Sequence, residues 1–472
     1  MHTNEGRKDI FWAYFAQFFQ VSTGILILPI ILRQFNSNEV AFYYLMLNFS
    51  ALVLLFDFGF SSQFTRVFAY IFAGAQNIRK EGIEVSDGNL NCVNFRLLKT
   101  IIESSMMVYR VIGLLVLLVM TTFGTIYIYN VTDRFSLVEG SLWVWLLYSV
   151  SVFINMYYSF LIPMLIGKGD ITASRKAIVY SKIVYILVSF TLLFIGLDLI
   201  AIVIANIVAP FVQRKISSKY FFTRTIKLEL NKYNIERSEK ISSFIDIWYN
   251  AKRMGLVMIG SFAINRTGLI IAGLYLPLDQ VASYGLMQQV LGLIISISIT
   301  LFTITQPRLA RFLIQNEHKK LLDEFSFSIG IFYLLFFTSC VALVLVGPML
   351  LKFIGSNTLL PRVDLLIFFC IVTLAEQNHS IFATLIALKN RIPYVVPSLI
   401  SGVFIIVGTF VALAYLKMGI FGLIVVPAVV QISYNNWKWP AVIMKEHNLT
   451  FHKFFLTTLR ITIFRLKAIL IG

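Results

Sequence analysis

Charge is scarce in this 472-residue chain: Asp, Glu, Lys and Arg make up 13% of it, against roughly one quarter in soluble domains, too little to clothe a water-facing surface. Acids are scarcest, 23 Asp and Glu against 40 Lys and Arg. The three cysteines, Cys92, Cys340 and Cys370, have neither metal-ligand nor redox spacing, which predicts no disulfide and no bound metal. There is no Walker A run, no Gly-x-Ser-x-Gly and no His-Glu-x-x-His, and no extramembrane stretch long enough to hold a nucleotide. The expectation is a protein that is not an enzyme and carries no cofactor.

What fills the chain is apolar sequence, 58% hydrophobic and 15% aromatic. Apolar runs fall at about 10–32, 40–60, 105–128, 141–166, 177–195, 198–213, 254–276, 281–303, 327–347, 363–388, 393–415 and 419–436. A hydrocarbon core of about 30 Å takes roughly 20 helical residues, and these runs are continuous rather than alternating, which excludes a closed barrel. The first run has too long an apolar core for a cleavable signal and no small-residue cleavage site after Leu32. The fold class predicted is an all-α polytopic membrane protein with about twelve transmembrane helices.

The net charge of +17 invites a nucleic-acid reading, so the position of the basic residues decides. With the N-terminus in the cytoplasm, only Arg33, Arg134, Lys352, Arg362 and Lys417 fall outside, and Arg110, Lys182 and Arg266 fall within runs. That asymmetry is a topology signal: both termini face the cytoplasm, anionic membrane lipids are natural partners, and no nucleic acid is expected.

Mixed charges from Lys227 to Lys240 suit a solvated connector and divide the chain into a six-helix bundle over 1–213, a basic linker over 214–253, a second six-helix bundle over 254–436 and a basic tail over 437–472. The tail reads as an interfacial amphipathic helix, because Arg460 near its middle would be costly as a thirteenth span. The first two runs and the seventh and eighth share an order of helix, short acidic loop, Val-Ala, Tyr, helix and a following Arg, which suggests a parallel repeat. An insert over 61–99 follows the second run, and its start, 64–72, suits the membrane surface.

Polar groups inside the runs are the candidates for function, because lipid makes them expensive. Arg266 lies about twelve residues into the seventh run, beside Asn265, too deep to snorkel easily. It must meet an acid, with Glu376 the structural choice, or a wet cavity, or an anionic ligand. Glu376 shares a helical face with Thr373, His379 and Ser380; with His379 it can relay coupling protons or simply tie helices together. Arg110 and Lys182 lie a turn or two inside their runs, placed either to snorkel or to extend a cationic track suited to phosphates. Gln17, Gln20 and Gly24 form one stripe, and Gly285, Gln289, Gly292 and Ser296 another. Such stripes glue helices or line a cavity where amides and hydroxyls bond sugar.

At LFDFGFSSQFTRVFAY, with Asp57, Gly59 and Arg66, the chain resembles Wzx-type O-antigen and polysaccharide repeat-unit flippases of the multidrug/oligosaccharidyl-lipid/polysaccharide superfamily. The resemblance extends over the whole chain in span count, six-plus-six split and basic central loop. It implies a V-shaped, MATE-like transporter in the bacterial cytoplasmic (inner) membrane. Such a transporter carries undecaprenyl-pyrophosphate-linked oligosaccharide to the outer leaflet by alternating access, alongside other polysaccharide-assembly proteins. Arg266, Arg110 and Lys182 would then meet pyrophosphate, and Gln17, Gln20, Asn265, Gln289 and Ser296 the sugars. Glu376, His379 and Asp57 would couple transport to H+ or Na+. A multidrug cation antiporter of the same superfamily and a peptidoglycan-precursor flippase are the nearest alternatives. A membrane glycosyltransferase or polymerase is disfavoured by short outer loops.

Overall fold

Hydrocarbon offers backbone N–H and C=O groups no partner, so a chain this apolar must satisfy them internally, which helices do segment by segment. The computed structural model describes residues 26–77, 93–315, 317–389 and 393–471 together with Trp12, Phe15, Phe19 and Gly24; among these it has helices and no strand. Among the described residues ten helices are long and apolar enough to cross a bilayer, and a bent pair makes up to eleven. The first run lies largely outside the described residues and is helical where it emerges, over 26–34. The all-helical polytopic class is what the sequence leads one to expect. The chain forms two compact units, Met1–Phe262 and Ala263–Gly472.

In the first unit, α1 (Ser37–Val53) starts from a capping box, the Asn36 side chain accepting from Glu39 N and the Glu39 carboxylate from Asn36 N. It ends in a 3-10 turn over Leu54–Asp57, and Phe58 and Gly59 are both left-handed, with φ of 45° and 75°. That turn re-aims the chain into α2 (Phe60–Phe72), so the second run is broken at the Asp-Phe-Gly sequence. α2 does not rest on the membrane surface alone: Phe64, Val67, Phe68 and Ile71 are buried. A long span, Phe95–Val131, comprises α3 (Phe95–Val119), a π turn over Met120–Gly124 and α4 (Thr125–Val131). The π turn has a local cause, since the Trp145 indole lies against Gly124 and its Nε1–H donates to Met120 O at 3.1 Å. α5 (Ser141–Tyr157), α6 (Leu161–Gly167), α7 (Ile171–Phe194) and α8 (Asp198–Phe221) complete the spans of this unit.

The connector is helical for most of its length, as α9 (Arg224–Leu230) and α10 (Arg237–Asn265). Its charges are partly spent on α3: Glu239 pairs with Arg96 at 3.2 Å and Lys240 with Glu103 at 2.7 Å. The Arg96 hydrogen bond holds the half-buried Glu239 carboxyl below its usual range. Phe60 of α2 stacks on Phe244 and Trp248, and Gly255 admits the Phe58 ring where any Cβ would stand 2.1 Å from Cδ1. The connector is thus docked along the Asp-Phe-Gly break.

The second unit runs α11 (Thr267–Tyr275), α12 (Leu278–Ser298), α13 (Thr300–Ile314), α14 (His318–Ile354), α15 (Val363–Ala387), α16 (Val395–Ala414), α17 (Gly419–Ser433), α18 (Asn435–Glu446) and α19 (Phe451–Ile471). α17 and α18 together make one span. The tail helix α19 is absent from the helices apolar enough to span, and it packs along α14. Cys340 on α14 and Cys370 on α15 are both free, buried thiols.

Close packing of α2 on α6 rests on Gly167, where an added Cβ would lie 2.3 Å from Phe68 Cβ and 2.8 Å from the Thr65 carbonyl. Because backbone cannot step aside as a side-chain tip can, Gly167→Ala should destabilise the protein by about 1–3 kcal/mol, seen as a lower Tm in detergent. Gly292→Ala, with nothing within 4 Å of the new methyl, should keep or raise Tm. Equal effects at both positions would sink this account of the packing.

Candidate functional site

Arg266 stands where a membrane span breaks. Met258–Asn265 and Thr267–Tyr275 are bent by 42°, and Arg266 between them has φ −126° and ψ −26°. No proline is near; instead the Thr267 hydroxyl donates to the Ala263 carbonyl, inserting a side chain into the backbone ladder. Two sources of positive potential meet at this break, the guanidinium and the first-turn N–H groups that open α11. Arg266 is exposed, and among the described residues no carboxylate pairs with it. Nearby on α12, the Tyr284 hydroxyl accepts from Gln288 Nε2 at 3.0 Å.

Glu376 is engaged elsewhere in the same unit. Its Oε1 accepts from Gln431 Nε2 at 3.1 Å, and Gln431 Oε1 accepts from Asn435 Nδ2 at 2.7 Å. Asn435 also donates to Ser401 Oγ at 2.9 Å and accepts from Trp439 Nε1 at 3.1 Å. The wet helical face of Glu376 is legible in the sequence, whereas nothing there singles out Gln431, Asn435 or Ser401 as its neighbours. The signal available was a pair of amides four apart, followed by Trp439 at the next such step, closing the twelfth run. His379 Nδ1 lies 3.6 Å from Glu376 Oε2, beyond a hydrogen bond, and is a buried nitrogen without one. One turn away, Tyr333 donates to Asn378 Oδ1, tying α14 to α15. The arrangement can hold one carboxylate in a chain of amides and leaves an imidazole beside it.

In the first unit the cations of the spans meet aromatic faces. Arg110 lies 5.7 Å from the Tyr157 ring and Lys182 5.5 Å from that of Tyr185. Arg214 lies 4.7 Å from Tyr158 and bonds its hydroxyl at 2.8 Å. A ring face orients a cation without neutralising it, so its N–H groups stay available to an anion.

The remaining candidates divide by partner. Asp57 accepts from Ser61 N at 3.2 Å and from the Tyr109 hydroxyl, so it closes the broken end of the second span. Ser296 donates to Gly292 O, in its own helix. Among the described residues Gln289 Oε1 is buried without a hydrogen-bond partner and nothing lies within 4 Å of a Cβ added at Gly292, one turn on, so this part of the stripe makes no close helix contact with them. Asn265 ends α10 beside Arg266. Gln17 and Gln20 lie outside the described residues.

No family model and no curated protein sequence matches the chain. Its fold is similar to solved transporters. An inward-facing multidrug resistance MATE family transporter of the MOP superfamily aligns with a TM-score of 0.59 at 13% identity, over 95% of each chain. An outward-facing one gives 0.54 at 14%, over 96% of this chain and 93% of that one. A MOP superfamily transporter from Pyrococcus furiosus, described as having a binding pocket of reverse polarity, gives 0.52 at 12%, over 96% and 94%. The chain therefore has the MATE-like fold of MOP transporters.

The amide chain around Glu376 separates charge from hydrogen bonding experimentally. Glu376→Gln can still accept from Gln431, whereas Glu376→Leu strands that amide in the bundle. The Leu variant should lose about 1–3 kcal/mol of stability in detergent unfolding, and the Gln variant should stay near wild type. A Leu variant as stable as wild type would remove the network's structural role.

Proposed function

We propose that this chain is a flippase: it moves undecaprenyl-pyrophosphate-linked oligosaccharide repeat units, of O-antigen or a related surface polysaccharide, from the inner to the outer leaflet of the bacterial cytoplasmic membrane. The observation that carries the reading is Arg266, a cation with no carboxylate partner among the described residues, at a break midway along a span and next to a helix N-terminus. A pyrophosphate is the kind of ligand such a place accommodates, since both the guanidinium and the positive end of a helix dipole favour anionic oxygen. Within the first unit Arg110 and Lys182 have the same preference for anions, and Gln289 Oε1, without a donor among the described residues, is an acceptor suited to a sugar hydroxyl. Other polysaccharide-assembly proteins and membrane lipids are the partners this reading entails, with no nucleic acid among them.

Glu376 and His379 are the proposed coupling pair for H+ or Na+ by alternating access. A carboxylate held by one amide can change its protonation or take a cation with little rearrangement, and Asp57, already bonded to Tyr109 and Ser61, is the weaker candidate. No cofactor enters this mechanism.

Multidrug export is the second reading, because the two MATE relatives above carry drugs by description. A cationic drug calls for unspent carboxylates, and Asp57 and Glu376 are each hydrogen-bonded. A relative with a pocket of reverse polarity speaks for a fold that tolerates either sign of charge.

The test is genetic and chemical. In a host deleted for the gene, Arg266→Ala should fail to restore surface glycan, falling about ten- to a hundredfold as expected for one charge-assisted contact, while complete lipid-linked repeat units accumulate. Arg266→Lys should restore part. Wild-type glycan in the Ala variant, at equal protein level, overturns the assignment; heightened drug sensitivity with unchanged glycan selects the antiporter, and accumulation of peptidoglycan precursor selects that flippase.

A further inference from the structure

The tail helix α19 is fixed to the bundle along one face and leaves another with a regular charge pattern. α14 has 37 residues, about 55 Å of helix against a hydrocarbon core of about 30 Å, so one end must stand in the headgroup region. Its polar start, HKKLLDEFSFS, is that end, and α19 docks beside it. Phe454 meets the rings of Phe325 and Phe382 at 6.0 and 5.7 Å. Thr458 and Thr462 cross Gly330 so closely that an added Cβ would lie 2.0 Å from Thr462 Oγ1. Glu324, almost fully buried, accepts from Arg308 of α13 at 2.7 Å and from Arg465 of α19 at 2.8 Å. A planar carboxylate shared by two guanidiniums fixes rotation as well as position.

With that face fixed, the rest of α19 follows from helical geometry. Lys453, Arg460 and Lys467 recur every seven residues, which keeps them within about 20° per step on one line. All three are exposed. Leu456, Ile463 and Phe464, also exposed, flank the line. The helix contains no acidic residue to neutralise it. Basic side chains in line with apolar ones on a helix at headgroup depth are the pattern of a surface that meets acidic phospholipid.

We propose that α19 binds anionic phospholipid: the ammonium and guanidinium groups of Lys453, Arg460 and Lys467 hold headgroup phosphates while the flanking apolar side chains enter the acyl boundary, and the Glu324 clamp sets the helix's orientation. This surface is independent of the transported substrate. The whole protein, purified in detergent, would be titrated with phosphatidylglycerol or phosphatidylcholine and its bound lipids counted by native mass spectrometry. Wild type should prefer phosphatidylglycerol, and Lys453→Gln/Arg460→Gln/Lys467→Gln should lower that affinity about a hundredfold, as three surface charges imply. Lys227→Gln/Lys232→Gln/Arg237→Gln, with the same charge change in the connector, should retain it. A tail triple variant that keeps wild-type preference overturns the proposal, as it would if the stripe served a protein partner instead; so does an equal loss in the connector variant, which would mark diffuse charge. The Gln replacements are at exposed positions, and an unaltered Tm in phosphatidylcholine checks that α19 stays docked.

Discussion

Every carbonyl and amide in the hydrocarbon must find its partner inside the protein, and the departures from regular helix here are places where a side chain supplies what the ladder loses. Asp57 and Tyr109 close the end of the second span, where Phe58 and Gly59 turn left-handed. Trp145 donates to the carbonyl at the π turn. Thr267 reaches back to Ala263 at the bend before α11. These side chains make irregular backbone tolerable at membrane depth, and one such break is where Arg266 stands.

The same constraint sorts the charges. The carboxylates of Asp57, Glu324 and Glu376 are each held by hydrogen-bond donors: a phenol and an amide N–H, two guanidiniums, and a glutamine. The span cations Arg110 and Lys182 rest on aromatic rings, and Arg266 has no acid partner among the described residues. Acids are satisfied and bases are left with donors to spare, so the chemistry on offer is that of receiving an anion. The low count of Asp and Glu in the sequence is the same fact seen from composition.

The spans were legible because apolar length is a coarse quantity that survives errors of a few residues at each end. Arg266 was legible because depth alone made it costly. Its setting was not: the bend has no proline, and a threonine bonding back along the helix leaves no mark that distinguishes it from any other threonine. Glu376 was visible and its partners were not, since Gln431 and Asn435 belong to a run some 55 residues on in sequence, and pairing across that distance is a tertiary fact. The connector's mixed charges read as solvated, while two of them, Glu239 and Lys240, are matched to Arg96 and Glu103 of α3. Composition shows that charges exist; only packing shows which are spent.

The suggested repeat gains meaning from the two second spans taken each within its own unit. α1 passes through a left-handed corner into α2, and α12 passes through Ile299, with ψ near zero, into α13. Each continuation carries an arginine, Arg66 near the Tyr70 ring and Arg308 on Glu324. The order of elements is shared, whereas the chemistry at the corner differs: an acid caps the first, and a buried carboxylate beyond the second recruits the tail helix through Arg465. A shared order of elements whose two instances differ in charge has a simple physical basis. The plan is enforced by backbone hydrogen bonding, which any apolar sequence can meet, while each polar group must be satisfied one neighbour at a time. Function has most room to differ at those few polar groups.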